Sequence, residues 1–415
     1  MAEMIELREE KERVILVGVS VDDTDDTEKS LDELEELAKA AGAVTVGHVI
    51  QKREMIHPGT YVGKGKIDEI KELIWETEAT GILCDDELSP VQLGNLQDAL
   101  DTKVMDRTLI ILDIFAARAS TNEGKIQVEL AQLKYRQSRL TGLGKSLSRL
   151  GGGIGTRGPG EKKLEMDRRL IKGRIAQLNR ELKEVKRHRE VTREQRSRTK
   201  IPVVAIVGYT NAGKSTLLNE LTGAAVLSED KLFATLDPTT RGFKLPSKQE
   251  VLFTDTVGFI RKLPHHLIEA FKSTLEEAKY ADLILHVVDT SNPQMDEQMY
   301  IVYETLRNLG VEDKTIITAF NKQDKEGAET ILRDFKADYV VRISAKTGYG
   351  LDELLHTIEK VLREQKIEIE RTYAYNEVGK IQMIRKYGEL LVEEYREEGI
   401  YVKAFVPKEL YGQIG

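Results

Sequence analysis

The residues Gly208-Tyr209-Thr210-Asn211-Ala212-Gly213-Lys214-Ser215 carry the most specific chemistry in the chain. They fit G-x-x-x-x-G-K-[ST]. The apolar run 203–207 before them and Thr216-Leu217-Leu218-Asn219-Glu220-Leu221 after them supply the strand and the helix that the pattern requires. Glycines let successive N–H groups wrap a polyphosphate, the helix N-terminus favours the anion, and Lys214 adds a point charge. Ser215 is placed to ligate Mg²⁺.

Two further strand ends narrow the nucleotide. Asp255-Thr256-Val257-Gly258 closes the β-rich run 251–254; its carboxylate can reach Mg²⁺ through a water, and the Gly258 N–H can meet a γ-phosphate. Asn321-Lys322-Gln323-Asp324 follows the run 316–320. Asp324 can accept from N1–H and N2–H₂ of guanine, a donor pair that adenine lacks, so adenine leaves a carboxylate unpaired. Lys322 can lay its stem along the base, and Ser344-Ala345-Lys346 can offer backbone N–H groups to guanine O6. Each stretch alone is common. Their order, and their shared position at strand ends, point to a GTP-hydrolysing site with water as the second substrate.

The rest of the chain must position this site. Its 415 residues suffice for two to four domains, and 40% hydrophobic with 32% charged residues describes a globular chain with several cores. A single cysteine, Cys84, excludes internal disulfides and a cysteine-rich zinc site, which fits a reducing compartment. The longest apolar runs, such as 109–117, are too short to span a bilayer, and the acidic N-terminus lacks the features of a secretion signal. These features predict a cytoplasmic protein without a transmembrane segment.

Charge is unevenly distributed. Residues 134–200 hold 21 Lys and Arg against 7 Asp and Glu, a net +14 in a chain of net −8, so the remainder carries about −22. Such a stretch is a candidate nucleic-acid footprint.

The pattern predicts an α/β multidomain chain in four parts. Residues 1–115 alternate strands and helices as an N-terminal α/β domain, in which Ser30-Leu31-Asp32-Glu33 reads as a capping box opening a helix and 66–78 as a second helix. Residues 116–199 read as a basic antiparallel helical hairpin. Its seam is Ile126, Leu130, Leu133 and Leu140 against Ile171, Ile175, Leu178, Leu182 and Val185, and its tip is the glycine-rich run 142–160. Residues 200–365 form the P-loop GTPase domain with a mostly parallel sheet. Residues 366–415 form a small α+β unit: a helix ending at Gly388, then a hairpin 390–395 and 400–406. Gly63-Lys64-Gly65-Lys66 reads as a turn before a helix.

With these motifs on the page, the sequence resembles the HflX family of P-loop GTPases from about Tyr61 to the end of the nucleotide domain. The resemblance rests on Asp106-Arg107-Thr108 through Leu112-Asp113-Ile114-Phe115-Ala116 and on Glu123-Gly124-Lys125-Ile126-Gln127-Val128-Glu129-Leu130-Ala131-Gln132-Leu133. It rests equally on Gly153-Ile154-Gly155-Thr156-Arg157-Gly158-Pro159-Gly160-Glu161 and on Phe233-Ala234-Thr235-Leu236-Asp237-Pro238-Thr239. It implies a GTPase, cycling between GTP and GDP, that binds the large ribosomal subunit and helps to split or rescue stalled ribosomes; the basic hairpin with its glycine-rich tip is then the candidate rRNA contact, and a monomer is expected. Within Phe233-Ala234-Thr235-Leu236-Asp237 it makes Thr235 the switch I threonine that ligates Mg²⁺ beside Ser215 and Asp255; on spacing alone, Thr239 and Thr240 compete. Lys214, Thr235 and Gly258 are then the catalytic set. Asn211 implies K⁺ as a charge-neutralising ion. Phe259 stands where many small GTPases keep a water-orienting glutamine, which implies slow hydrolysis until a partner orders switch I (232–242) and switch II (256–266). Two departures are visible: Lys162 and Met166 stand in Glu161-Lys162-Lys163-Leu164-Glu165-Met166-Asp167-Arg168-Arg169 where the family usually has threonine.

Two other readings compete. One is a regulatory GTPase with a protein or membrane-surface partner, for which the hairpin is only a scaffold. The other is a nucleotide-using metabolic enzyme or ATPase, which Asp324 disfavours.

Overall fold

The computed structural model describes residues 11–21, 26–147, 159–199, 201–223, 232–233, 239–263, 277–311, 313–325 and 332–414. Their contacts divide into two units. The first lies within residues 1–184 and includes residues 232–233 and 261–263; the second holds the other described residues.

In the first unit, β1 (Arg13–Ser20), β2 (Val44–Lys52), β3 (Gly81–Cys84) and β4 (Lys103–Asp106) form a parallel sheet in the order β2-β1-β3-β4. β1 and β3 are buried along nearly their whole length, which is why they read as continuous apolar runs rather than as alternation. The helices between strands are α1 (Thr27–Ala40), α2 (Lys64–Thr77) and α3 (Pro90–Leu100), and α4 (Arg107–Arg118) follows β4. α3 starts on a true capping box: Ser89 accepts from the Gln92 N–H, the Gln92 side chain accepts from the Ser89 N–H, and Pro90 occupies the first helical position.

The expected capping box at Ser30 is not one. α1 begins at Thr27, and Ser30 lies inside it, its hydroxyl donating to Asp85 Oδ2 at 2.8 Å. The hydroxyl serves a buried carboxylate instead of a helix end. α2 likewise begins two residues before the expected start, with Gly63 as its N-cap.

The hairpin consists of α5 (Asn122–Leu147) and α6 (Pro159–Thr199). Glu129 of α5 accepts two hydrogen bonds from Arg174 of α6, at 2.6 and 2.9 Å, and Arg168 donates to the Leu140 carbonyl at 2.8 Å, so the helices run antiparallel. The seam is shallower than the heptad spacing implies: Leu178 is buried, whereas Ile171, Ile175 and Leu182 are half-buried. Of the glycine-rich tip expected at 142–160, residues 142–147 instead continue α5 and 159–160 open α6, while 148–158 lie outside the described residues.

The second unit contains a six-stranded sheet of order β10-β9-β8-β5-β7-β6. Its strands are β5 (Val203–Gly208), β6 (Thr239–Lys244), β7 (Glu250–Asp255), β8 (Leu283–Asp289), β9 (Ile316–Asn321) and β10 (Tyr339–Arg342). All neighbours are parallel except β6, which is antiparallel to β7. β5 runs into α7 (Lys214–Thr222) through the eight-residue loop, and one apolar core packs α7 and the helix Leu351–Glu364 on the sheet. A second, antiparallel sheet has the order β11-β13-β12, with β11 (Ile367–Tyr373), β12 (Glu389–Arg396) and β13 (Gly399–Val406). The helices Val378–Tyr387 and Lys408–Ile414 contribute Ile381, Ile384, Leu410 and Ile414 to its core. The helix ending at Gly388 and the hairpin are as expected. β11 and the last helix are additional to the sequence reading.

Candidate functional site

The loop after β5 is shaped by glycines that cannot be replaced. Gly213 has φ +95°, and a Cβ there would lie 2.3 Å from Asn321 Nδ2; at Gly208 it would lie 2.3 Å from the Val287 carbonyl. The P-loop backbone is thus pressed onto β8 and onto the Asn321 side chain. Asn321 is buried and works as a bracket: its Nδ2 donates to the Ala212 carbonyl at 2.8 Å, and its Oδ1 accepts from the Ala345 N–H at 2.9 Å. One amide therefore ties together the three loops that the sequence assigned separately to phosphate, base and base edge.

Around this bracket the remaining candidates converge. Lys214 is 6% exposed and donates to the carbonyls of Gly208 and Tyr209 at 3.1 and 2.8 Å. Burial pulls its pKa down to about 8, although Asp255 opposes the shift. Ser215 Oγ donates to Asp255 Oδ2 at 2.8 Å. A hydroxyl and a carboxylate side by side at the edge of an anion cradle form a hard-oxygen donor set of the kind Mg²⁺ takes. Thr256 Oγ1 donates to the Ile206 carbonyl, fixing the end of β7 against β5, and Val257 is buried beside it. Gly258 faces the loop, where a Cβ would come within 2.8 Å of Thr210 Cα and 3.0 Å of Lys214 Nζ.

At the base-reading end, Asp324 is exposed and accepts from Ser344 Oγ at 2.7 Å, a bond that holds its carboxyl below the usual range. Gln323 turns back into the fold, donating to Thr290 Oγ1 and to the Phe320 carbonyl. Lys322, at φ +68°, pairs with Asp289 Oδ2 at 2.7 Å. Lys346 and Asn211 are exposed, and Thr216 is half-buried in the first turn of α7.

Two outcomes differ from a simple clustering. Phe233 groups with the first unit, its ring edge-on to Phe115 at 4.7 Å. Ala234, Thr235, Leu236 and Asp237 lie outside the described residues. Asp289, the carboxylate that orients Lys322, was missed in the sequence; its signal was its position at the end of β8, the same place that marks Asp255 on β7 and Asn321 on β9.

Three family descriptions match consecutive parts of the chain: "GTP-binding GTPase N-terminal" over residues 28–116, "GTP-binding GTPase Middle Region" over 118–196, and "50S ribosome-binding GTPase" over 203–322. The chain is 70% identical to a protein named GTPase HflX from Lacrimispora saccharolytica, covering 100% of this chain and 98% of that one. It is 51% identical to the GTPase HflX of Caldanaerobacter subterraneus, covering 98% and 94%. The GTPase HflX of Escherichia coli is 42% identical, covering 78% and 76%. A crystal structure of a GTP-binding protein from Sulfolobus solfataricus in complex with GDP is 27% identical, covering 85% of this chain and 99% of that one, with a TM-score of 0.45.

Proposed function

This chain belongs to the HflX family of GTPases, binding GTP and hydrolysing it, and we propose that it does so on the large ribosomal subunit, in ribosome splitting, rescue or biogenesis. The observation that carries the ribosomal part is the antiparallel hairpin α5–α6, whose stretch 134–200 is +14 in an otherwise acidic chain. The match over 203–322 to a family described as 50S ribosome-binding supports the same partner. The protein acts in the cytoplasm as a monomer, and rRNA phosphates are the partner chemistry of the hairpin.

In the nucleotide site, backbone N–H groups of residues 208–216 and Lys214 hold the phosphates. Asp324 reads guanine, Lys322 lies along the base on the support of Asp289, and Ser344-Ala345-Lys346 face O6. Ser215 and Asp255, with Thr235 of the stretch Phe233-Ala234-Thr235-Leu236-Asp237, hold Mg²⁺, which supplies charge neutralisation at the phosphates. Lys214, Thr235 and Gly258 stabilise the transferring phosphoryl group, and Asn211 positions K⁺ for the same purpose. Phe259 is an apolar, buried side chain and cannot orient a water by hydrogen bonding, so free protein hydrolyses slowly. The test is the rate of GTP and ATP hydrolysis with and without purified large subunits, in K⁺ and in Na⁺. The reading expects GTP-selective, K⁺-dependent, subunit-stimulated turnover. Equal rates with and without subunits would favour a regulatory GTPase with a protein or membrane-surface partner.

A further inference from the structure

The seam of the hairpin does not close along its whole length. Arg136, Arg139 and Leu140 of α5 and Asp167, Leu170 and Ile171 of α6 line a groove of about 470 Å³, the size of a small-molecule site. On each helix the three residues are spaced i, i+3, i+4 and so share one face. All six belong to the first unit. The helices are braced at this level: Arg168 donates to the Leu140 carbonyl at 2.8 Å, and farther along α6 Arg174 is clamped on Glu129.

The lining combines unlike chemistries. Leu140 and Ile171 are half-buried, and Leu170 is 66% exposed, so aliphatic surface is left to water. Met166, one turn before Leu170, is also exposed and extends the apolar strip. Arg139 is buried and held by Asp106 and by the Tyr135 ring, yet its Nε has no hydrogen-bond acceptor among the described residues. Asp167 is half-buried and has no hydrogen-bond or ion-pair partner among them. A donor and an acceptor left unmet beside apolar surface suit an occupant with apolar faces and a polar edge.

Charge decides which occupant that is. The groove lies within the stretch 134–200, of net +14, which repels a second hairpin or a basic protein segment and attracts a nucleic-acid strand. A phosphate inside the groove would face the Asp167 carboxylate. A nucleobase meets every part: its face covers the aliphatic side chains, its N–H edge donates to Asp167, and the exposed Arg136 takes the adjoining phosphate. Guanine presents N1–H and N2–H₂ side by side to a carboxylate, whereas uracil offers one N–H between two carbonyls.

We propose that the groove between α5 and α6 takes one unstacked nucleobase, a guanine, from a single-stranded part of rRNA. This adds a base-reading subsite to an arm otherwise assigned only phosphate contacts, and it rests on the ribosomal reading of that arm.

The test uses the full chain with a non-hydrolysable GTP analogue and purified large subunits. Affinity is followed over a salt series, and rRNA guanines are probed with a glyoxal reagent that closes on N1 and N2. The parent is expected to shield at least one guanine. Asp167→Asn should expose that guanine again at saturating protein and weaken binding about 5- to 50-fold, the worth of one bidentate base contact. The sign is decisive, because beside phosphates alone the loss of a carboxylate would tighten binding. Leu170→Ser, at a position too exposed to support the fold, should weaken binding by a similar factor at every salt concentration, since an apolar contact releases no counterion. Tighter or unchanged binding by Asp167→Asn would overturn the base-reading groove. So would weaker binding of both variants with every guanine as reactive as in the parent complex, the mark of a protein occupant. Failure of the parent itself to bind subunits would overturn the ribosomal reading together with the groove.

Discussion

Lys214 is an ammonium that its own fold works against. Its pKa of about 8 reflects burial without an anion beyond Asp255, and a bound polyphosphate supplies the missing charge. The sign follows directly. Below about pH 8 the free protein already carries the charged form that phosphate needs. Above it, binding must take up a proton, and affinity falls by up to about tenfold per pH unit. GTP affinity measured from neutral to alkaline pH should be level and then decline, and Lys214→Ala should remove both the decline and at least about 100-fold of the affinity, comparable to losing a buried charge-assisted contact. Asp324 offers a cleaner substitution because it is exposed and its carboxylate accepts from the Ser344 hydroxyl at the surface. Asp324→Asn should turn preference from guanosine to xanthosine nucleotides in competition binding; unchanged guanine selectivity would contradict its assignment. At this scale the sequence was highly legible. Lys214, Ser215, Asp255, Asn321 and Asp324 are fixed by local motifs, because a strand end, a tight loop and a helix start need few residues to specify. Asp289 was not legible, since its role comes from a partner 33 residues distant.

Among the elements, the junction between the first sheet and the hairpin is held by charge. Asp106 ends β4 and caps α4 by accepting from the Leu109 N–H, and it also accepts from the Leu88 N–H, from Tyr135 at 2.8 Å and from Arg139 at 2.6 Å. Tyr135 and Arg139 lie one turn apart on α5, and the guanidinium stacks on the phenol ring at 3.2 Å. Asp106→Ala would leave Arg139 buried and unpaired, so a loss of about 3–5 kcal/mol in the stability of this unit is expected from urea unfolding, with Asp106→Asn milder. A loss under about 1 kcal/mol, the level of an exposed pair, would show the network to be peripheral. Periodicity found the hairpin and the strand–helix alternation, because both repeat over many residues. It failed at Ser30, where a local capping pattern competes with a partner 55 residues away, and the hydroxyl goes to Asp85. It also passed over β11, whose alternation of Ile367, Ile369, Arg371 and Tyr373 carries one charged residue on the inward side.

Across the whole molecule, charge separates a +14 stretch from a remainder of about −22. That asymmetry is the charge pattern that the proposed contact between the hairpin and rRNA phosphates calls for. No helix among the described residues is long and apolar enough to cross a membrane. The proposed nucleotide-dependent engagement of the ribosome would join the hairpin to the nucleotide site. Co-sedimentation of the full chain with large ribosomal subunits, with a non-hydrolysable GTP analogue or with GDP and over a series of salt concentrations, measures that link most directly. The account predicts strong binding with the analogue, weak binding with GDP, and a steep loss of binding as salt rises. Binding that is absent, or the same with both nucleotides, would contradict it.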